Sequence, residues 1–178
     1  MKKHLAVLAL ILAALPNLYS GHYGYLLGYP TGYSVTPLFG RSGARFDEIV
    51  NFLPAACKGQ SAKSCADLSK FSLFVTIKRE LFESLNISTL AEQVQTMTAR
   101  AERKGEKPGM AAPEKLGALA GWTFTNAAPK PGALDTTTIL EGQQVLYLFQ
   151  YQRDNQAMRP VLKSLVEVTP SEPAAGRP

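Results

Sequence analysis

Apolar residues recur at helical spacing in the segment 46–53. Residues at i, i+3, i+4 and i+7 lie on one face of a helix, and here they are Phe46, Ile49, Val50 and Leu53. Pro54 follows directly, and the residue before a proline is disfavoured in helical conformation. The pattern therefore predicts a first helix that ends at Leu53.

Two structures fit the next apolar segment, 67–85. In the first, one helix covers 68–85, with Asp67 as its N-cap. In the second, a strand ends at Ile77 and a short helix follows, because alternate residues over 71–77 are apolar. The helical pattern is the longer of the two, so we favour the single helix and keep the strand followed by a helix as the alternative.

A further helix carries signals at both of its ends. Thr89 and Glu92 form a capping box at its start. Gly105 is placed to end it, after basic side chains that suit a helix C-terminus. Its apolar face consists of Leu90, Val94, Met97 and Ala101. Together with the helix over 68–85, this element predicts a helical hairpin.

Strand patterns follow in the last third of the chain, after Pro/Gly-rich connectors at 104–115 and 126–134. Between the connectors, "GALAGWTFT" predicts one strand, and beyond them "TTTILE", "QVLYLFQYQ" and "VLKSLVEV" predict a three-stranded meander. One face of its middle strand carries Val145, Tyr147, Phe149 and Tyr151. The predicted fold class is α+β: an N-terminal helical segment with the helical hairpin, then a small antiparallel β-meander, with one disulfide.

The stretch 21–34, "GHYGYLLGYPTGYS", repeats a Gly-Tyr pair. Its glycines and Pro30 disfavour a helix, and in an extended chain alternate residues share a face. That face carries Tyr23, Tyr25, Tyr29 and Tyr33. Two interpretations stay open. The tyrosines cover the protein's own core from an edge strand, or they form a candidate binding surface, because tyrosine is favoured at interfaces.

The first residues have the pattern of a secretory leader. Two lysines precede an unbroken apolar run from Leu5 to Leu15, which is shorter than the roughly 17–25 residues of a membrane-spanning helix. Ser20 offers a small side chain for cleavage, so we expect a periplasmic or secreted protein. Retention of the leader as a short anchor is the alternative, and it would supply the chain's membrane contact.

The predicted organisation has four parts. They are a signal peptide at 1–20, an extended Tyr/Gly-rich segment at 21–43, a single α+β domain at 44–168 and a disordered tail at 169–178. A chain of 178 residues with 46% hydrophobic and 19% charged residues suits one globular domain. The net charge of +5 is spread along the chain, and acidic residues interrupt its densest basic run, 100–107. We therefore expect no nucleic-acid partner.

The chain has two cysteines, Cys57 and Cys65. In an oxidising compartment two neighbouring cysteines are typical of a disulfide. Their spacing fits neither a redox Cys-x-x-Cys motif nor a zinc knuckle. The sequence therefore predicts a structural disulfide.

Histidine usage restricts the chemistry. His4 lies in the leader, which leaves His22, near the mature N-terminus, as the one other histidine. Nucleophilic triads need a positioned imidazole, and the loose "GRSGA" motif offers Ser42 only as a turn residue. We expect no cofactor and no metal. Asn86, in the sequon "NIS", is interpreted as a helix-end residue.

Paired carboxylates are the remaining catalytic candidates. Asp47 and Glu48 form one pair, and Glu80 and Glu83 the other. Both are interpreted as solvated helix faces, and the spacing of Arg79 and Glu83 predicts a surface ion pair.

These observations favour an exported, non-enzymatic protein that binds another envelope or secreted protein. Binding of a glycan or cell-wall polymer through the same tyrosines is a variant of this hypothesis. The first alternative is a structural or assembly subunit of a cell-envelope or secretion complex. The second is a carboxylate-dependent hydrolase.

Overall fold

The computed structural model describes residues 15–40, 46–61, 64–67, 69–103, 111–125 and 134–168. The chain forms two compact units. The larger one is Gly32–Met158. The smaller one combines the two ends of the chain, and its described residues are 15–31 and 159–168.

A seven-stranded antiparallel sheet forms the larger unit, in the order β3-β4-β5-β9-β8-β7-β6. Its strands are β3 (Tyr33–Phe39), β4 (Glu48–Pro54), β5 (Phe71–Ile77), β6 (Ala112–Leu116), β7 (Leu119–Thr125), β8 (Thr136–Glu141) and β9 (Val145–Tyr151). β6 and β7 are joined by a two-residue turn in which Gly117 has a φ of 63°. Glycine at the first turn position is typical of the tight hairpins that match strand twist.

Two helices of the larger unit pack on one face of this sheet. They are α1 (Lys78–Leu85) and α2 (Leu90–Arg103). Leu90 and Val94 of α2 are buried with Ile139 of β8 and Leu146 of β9. Around this cluster pack the partly buried side chains of Leu81, Phe82, Met97, Ala111, Trp122, Phe124 and Leu148.

The smaller unit holds a three-stranded antiparallel sheet, in the order β1-β2-β10. Its strands are β1 (Asn17–Gly21), β2 (Tyr25–Tyr29) and β10 (Val166–Glu167), and helix α3 (Met158–Ser164) enters it from Arg159 onward. A three-residue turn, 22–24, joins β1 to β2. Its last residue, Gly24, has a φ of 71°, and the Gly24 N–H donates a hydrogen bond to the Gly21 carbonyl. Such turns need a left-handed residue at that position.

The fold is α+β, but the predicted arrangement of helices before strands is wrong. Strands β1 to β4 precede the disulfide, and the helices α1, α2 and α3 lie in the middle of the chain and near its end. The predicted helix over 46–53 is strand β4, in which Glu48, Val50 and Phe52 are fully buried. A strand covered on one face and partly covered on the other shows apolar runs that also fit a helical period, and pairing with β3 and β5 decided the outcome.

The single helix over 68–85 is also wrong, whereas its alternative is confirmed. The segment forms β5 up to Ile77 and then α1. α2 occurs as predicted, and the Thr89 half of its capping box is present: the Glu92 N–H donates to Thr89 Oγ1 at 3.2 Å. The Glu92 carboxylate accepts from the N–H of Ser88, one residue before Thr89. α1 and α2 are neighbours in sequence, but they do not form an N-terminal helical hairpin.

The meander is only partly as predicted. β8 and β9 pair as expected. The third strand of the observed meander is β7, which pairs with β8 and which the sequence predicted over 117–125. The segment predicted as the third strand forms α3 and the two-residue β10. Pro160 lies in the first turn of α3, where a proline costs no helical hydrogen bond.

Several predictions fall outside the described residues. They concern the leader up to residue 14, Ser42, Gly105, most of both Pro/Gly-rich connectors and the tail at 169–178.

Candidate functional site

The predicted tyrosine surface is divided by turns at 22–24 and 30–32. Tyr25 is fully buried, and a side chain at Gly21 would overlap its ring. The Tyr19 ring lies 6.1 Å from the Tyr25 ring. Tyr25 therefore occupies the interior, and glycine at position 21 leaves room for it.

The other predicted tyrosines are partly buried. The Tyr33 hydroxyl donates to the Ser69 carbonyl at 3.0 Å, and its ring lies 5.8 Å from that of Phe71. The Tyr23 and His22 rings are in edge-on contact, with 5.2 Å between their centroids. Tyr29 lies at the end of β2. Binding through these tyrosines stays a prediction, and Tyr33 already covers the protein's own core.

The disulfide between Cys57 and Cys65 is present, with a Cα–Cα distance of 5.4 Å. Both cysteines are buried with Leu53 in a small cluster. The Lys70 ammonium is buried beside them and donates to the Cys65 carbonyl. This contact holds the end of the loop against the start of β5.

Asp67 organises the same loop. Its carboxylate accepts from the backbone N–H and the hydroxyl of Ser69, at 2.8 and 2.7 Å. The backbone and side-chain hydrogen bonds of Ser69 lower the pKa of Asp67, with a smaller contribution from the Lys70 charge. Asp67 is therefore a loop residue, and not the helix N-cap that the sequence predicted.

The first carboxylate pair lies on the sheet and not on a helix face. Asp47 accepts from the Ile77 N–H at 2.8 Å, and its own N–H donates to the Val75 carbonyl at 2.9 Å. The Glu48 side chain has no exposed surface. Asp47 thus joins the ends of two strands, and substrate in solvent does not reach the carboxylate of Glu48.

The second carboxylate pair lies on the exposed surface of α1. Glu83 pairs with Arg79 at 3.7 Å, as its spacing predicts, and both side chains are largely exposed. An exposed ion pair such as Arg79–Glu83 contributes little to stability.

Asn86 ends helix α1 in the left-handed conformation, with a φ of 52°, which confirms its interpretation as a helix-end residue.

A row of hydrogen bonds crosses neighbouring strands of the large sheet, and sequence reasoning missed it. The Thr123 hydroxyl donates to the Glu114 carboxylate at 2.6 Å and lies 2.7 Å from the Thr138 hydroxyl. Thr138 lies 2.9 Å from the Tyr151 hydroxyl. The sequence shows which residues alternate between the two faces of each strand. It does not show the register between strands, and the hydrogen bonds of this row depend on that register.

Asp135 and Arg153 continue this row at the adjoining ends of β8 and β9. The Asp135 carboxylate accepts from the Arg153 Nε at 2.8 Å and from the Thr136 hydroxyl at 2.9 Å. Burial raises the pKa of Tyr151, and the Glu114 and Asp135 charges add to this effect, whereas the hydrogen bond between Tyr151 and Thr138 lowers the pKa. The polar groups of the row satisfy one another, which is the arrangement of a structural network.

Among the described residues of the larger unit, the most exposed large apolar side chains lie at the end of edge strand β3. Leu38 is 52% exposed and Phe39 is 59% exposed. The Gly40 N–H donates to the Asp47 carbonyl at 2.9 Å, so even-numbered residues of β3 direct their backbone groups toward β4. Val35 and Pro37 consequently direct theirs toward the outer edge.

The opposite edge of the sheet is protected. β6 carries Pro113 and Lys115, both exposed. Proline and lysine are common devices by which natural sheets prevent pairing at an edge. The outer edge of β3 has one proline, at a position whose N–H would have pointed outward, and no charged side chain between Tyr33 and Phe39.

Within the described part of the chain, no group of three His, Cys, Asp or Glu side chains could hold a metal ion. The helices found there are too short or too polar for a membrane-spanning helix.

No protein-family model matches the chain, and no curated protein matches it. Among solved structures it is similar to PA94, a protein of unknown function from Pseudomonas aeruginosa. The match has a TM-score of 0.42 and 12% sequence identity, and it covers 86% of this chain and 97% of that chain. A likeness this remote carries no argument about function.

Proposed function

We propose that this chain is an exported, non-enzymatic protein that binds another envelope or secreted protein through the outer edge of β3. The observation that carries the proposal is the exposure of Leu38 and Phe39 at the end of an edge strand. The leader pattern supports export, and the disulfide supports it further, because disulfides persist in oxidising compartments.

The partner's contact segment is an extended strand. The outward N–H of Val35 and the outward carbonyls of Val35 and Pro37 can be paired by a strand laid along β3. In such strand addition the main chain supplies affinity and the alternate side chains supply specificity. Leu38 and Phe39 lie on opposite faces of β3, so they would contact side chains on both faces of the added strand.

The first experiment replaces Leu38 by a photo-cross-linking amino acid in the exported protein of its native host. The cross-linked partner is then purified, and its affinity is measured by calorimetry for the wild type and for the double variant L38D/F39D. We expect the double variant to bind at least about tenfold more weakly, because two charges would enter an apolar contact. The control is L85D, at a residue that is 42% exposed on α1.

A backbone variant separates strand addition from side-chain contact alone. V35P removes an N–H that points outward, and leaves the backbone bonds between β3 and β4 in place. Strand addition predicts weaker binding by V35P with an unchanged melting temperature. Equal affinity of L38D/F39D and the wild type, with both folded, would exclude this edge as the docking surface.

The placement of the carboxylates gives no support to the hydrolase alternative, since Asp47 is engaged by β5 and Glu48 is buried. The assembly-subunit alternative is an outcome of the same experiments. A cross-link from position 38 to a second copy of this chain, with a dimer in size-exclusion chromatography, would replace the heterologous partner by self-assembly.

A further inference from the structure

We infer that the mature protein retains residues 15–20 as part of its fold, and that any removal of the leader occurs on the N-terminal side of Leu15. The inference rests on the proposed export. It replaces the cleavage point near Ser20 by one upstream of β1. The argument comes from the contacts that residues 15–21 make within the smaller unit.

β1 is one of the three strands of its sheet. All five of its residues pair with β2, from Asn17 opposite Tyr29 to Gly21 opposite Tyr25. Cleavage after Ser20 would leave only Gly21 of this strand. β2 is the central strand, so the cut would convert it into an edge and expose the backbone groups that β1 now pairs.

Side chains upstream of Ser20 are also built into the unit. Leu15 is 3% exposed, and its side chain would be 3.1 Å from a Cβ placed on Gly28, so it packs against the backbone of β2. The Asn17 side-chain amide donates to the Pro30 carbonyl at 3.1 Å. Both contacts fix the start of the segment at the C-terminal end of β2, at Gly28 and Pro30.

The sequence alone does not distinguish the two cleavage points. Peptidases that remove leaders favour small residues before the cut. Ser20 is preceded by Leu18 at the third position before the cut, and Ala14 is preceded by Leu12 in the same place. Both points therefore have one suitable residue and one poor one. Only the upstream point leaves β1 on the mature chain.

The reaction is a peptide-bond hydrolysis. Water adds across the scissile bond, the leader leaves with a new carboxylate and the mature chain gains a new amino group. No further reactant is needed.

The test determines the N-terminus of the full-length gene product after export in a bacterial host, by intact mass and N-terminal sequencing. An N-terminus at Leu15 or earlier supports the inference. An N-terminus after Leu15 on the folded protein overturns it. Fractionation separates this result from the export proposal, because an uncut chain in the cytoplasm contradicts export and not the retention of β1.

Two matched variants test the physical reason. L12A improves the point at Ala14, and L18A improves the point at Ser20, where Leu18 is exposed and tolerates replacement. We expect L12A to yield a mature chain that melts like the wild type. L18A molecules cut after Ser20 should melt lower by on the order of 10 °C or fail to fold. Equal melting of the chain cut after Ser20 and the wild type would overturn the inference.

Discussion

The carboxylate of Asp135 accepts hydrogen bonds from both the backbone N–H and the Nε of Arg153, at 2.7 and 2.8 Å. The two residues lie at the adjoining ends of β8 and β9. Burial raises the pKa of Asp135, but the hydrogen bonds from Arg153 and Thr136 outweigh it and hold the pKa below its usual value of 3.8. The folded state therefore favours the charged carboxylate.

Replacement of Asp135 by asparagine should lower the free energy of unfolding at pH 7. Hydrogen bonds to a charged group contribute about 1.5–3 kcal/mol, and D135N should lose an amount in that range. Urea denaturation measures the loss. The control is E83Q, which removes the exposed pair with Arg79 and should cost less than about 1 kcal/mol. Equal losses for the two variants would contradict a special role for Asp135.

The same pair should make stability depend on pH. Because the pKa of Asp135 is lower in the folded state than in the unfolded state, its contribution is present above the unfolded value. It is lost as the pH falls through the folded value. The difference in unfolding free energy between the wild type and D135N should therefore shrink on acidification from pH 7 toward pH 2. A constant difference over that range would contradict the assigned cause.

Reduction of the disulfide should destabilise the larger unit. The loop between Cys57 and Cys65 is short, so the chain-entropy model gives about 2.5 kcal/mol. The double variant C57A/C65A should show a loss of this size in urea denaturation. A reducing agent should lower the stability of the wild type alone. Sensitivity of the double variant to the reductant would assign the effect to something other than this bond.

Local signals predicted part of the fold. The capping box at Thr89 and Glu92 located α2, and alternating apolar residues located β8 and β9. These signals act within a few residues, so the sequence contains them completely. The Cys57–Cys65 bond was predictable for the same reason.

The remaining elements depend on distant pairing. β4 has an apolar pattern that fits a helix as well as a strand, and its two neighbouring strands decide the outcome. The exposure of Leu38 on an edge strand and the row of hydrogen bonds that includes Tyr151 both follow from strand order and register. The turn at Gly24 was readable, because glycine at the last position of a three-residue hairpin loop is a known signal.

Gly121 in β7 should tolerate no side chain. A Cβ at this position would overlap the backbone carbonyl of Ile139 in β8, and backbone atoms cannot move away as a flexible side chain can. G121A should therefore lower the free energy of unfolding, measured by urea denaturation, by about 3 kcal/mol or more. The control is G59A, where the φ of 80° strains the backbone but no atom lies within 4 Å, with a cost of about 1 kcal/mol. A smaller loss for G121A than for G59A would contradict the predicted overlap.

Removal of the Tyr151 hydroxyl should have two separate effects. At pH 7, the free energy of unfolding of Y151F, measured by urea denaturation, should be about 1 kcal/mol below that of the wild type. The reason is that the hydrogen bond to Thr138 disappears, while Thr138 keeps its contact with Thr123. Y33F is the control for loss of a hydroxyl that donates a hydrogen bond elsewhere, to Ser69.

The second effect of Y151F appears at alkaline pH. Burial raises the pKa of Tyr151 above its ordinary value of 10.0, so the folded state holds the phenolic proton more tightly than the unfolded state does. This contribution to stability is complete below the unfolded value and is lost as the pH rises through the folded value. The wild type should therefore lose stability above about pH 10 more steeply than Y151F, whose phenylalanine does not titrate. Unfolding free energies from urea denaturation between pH 9 and pH 11.5 measure the two slopes. Parallel slopes would mean that the Tyr151 phenol has the same pKa in the folded and unfolded states, which would contradict the raised pKa attributed to its burial.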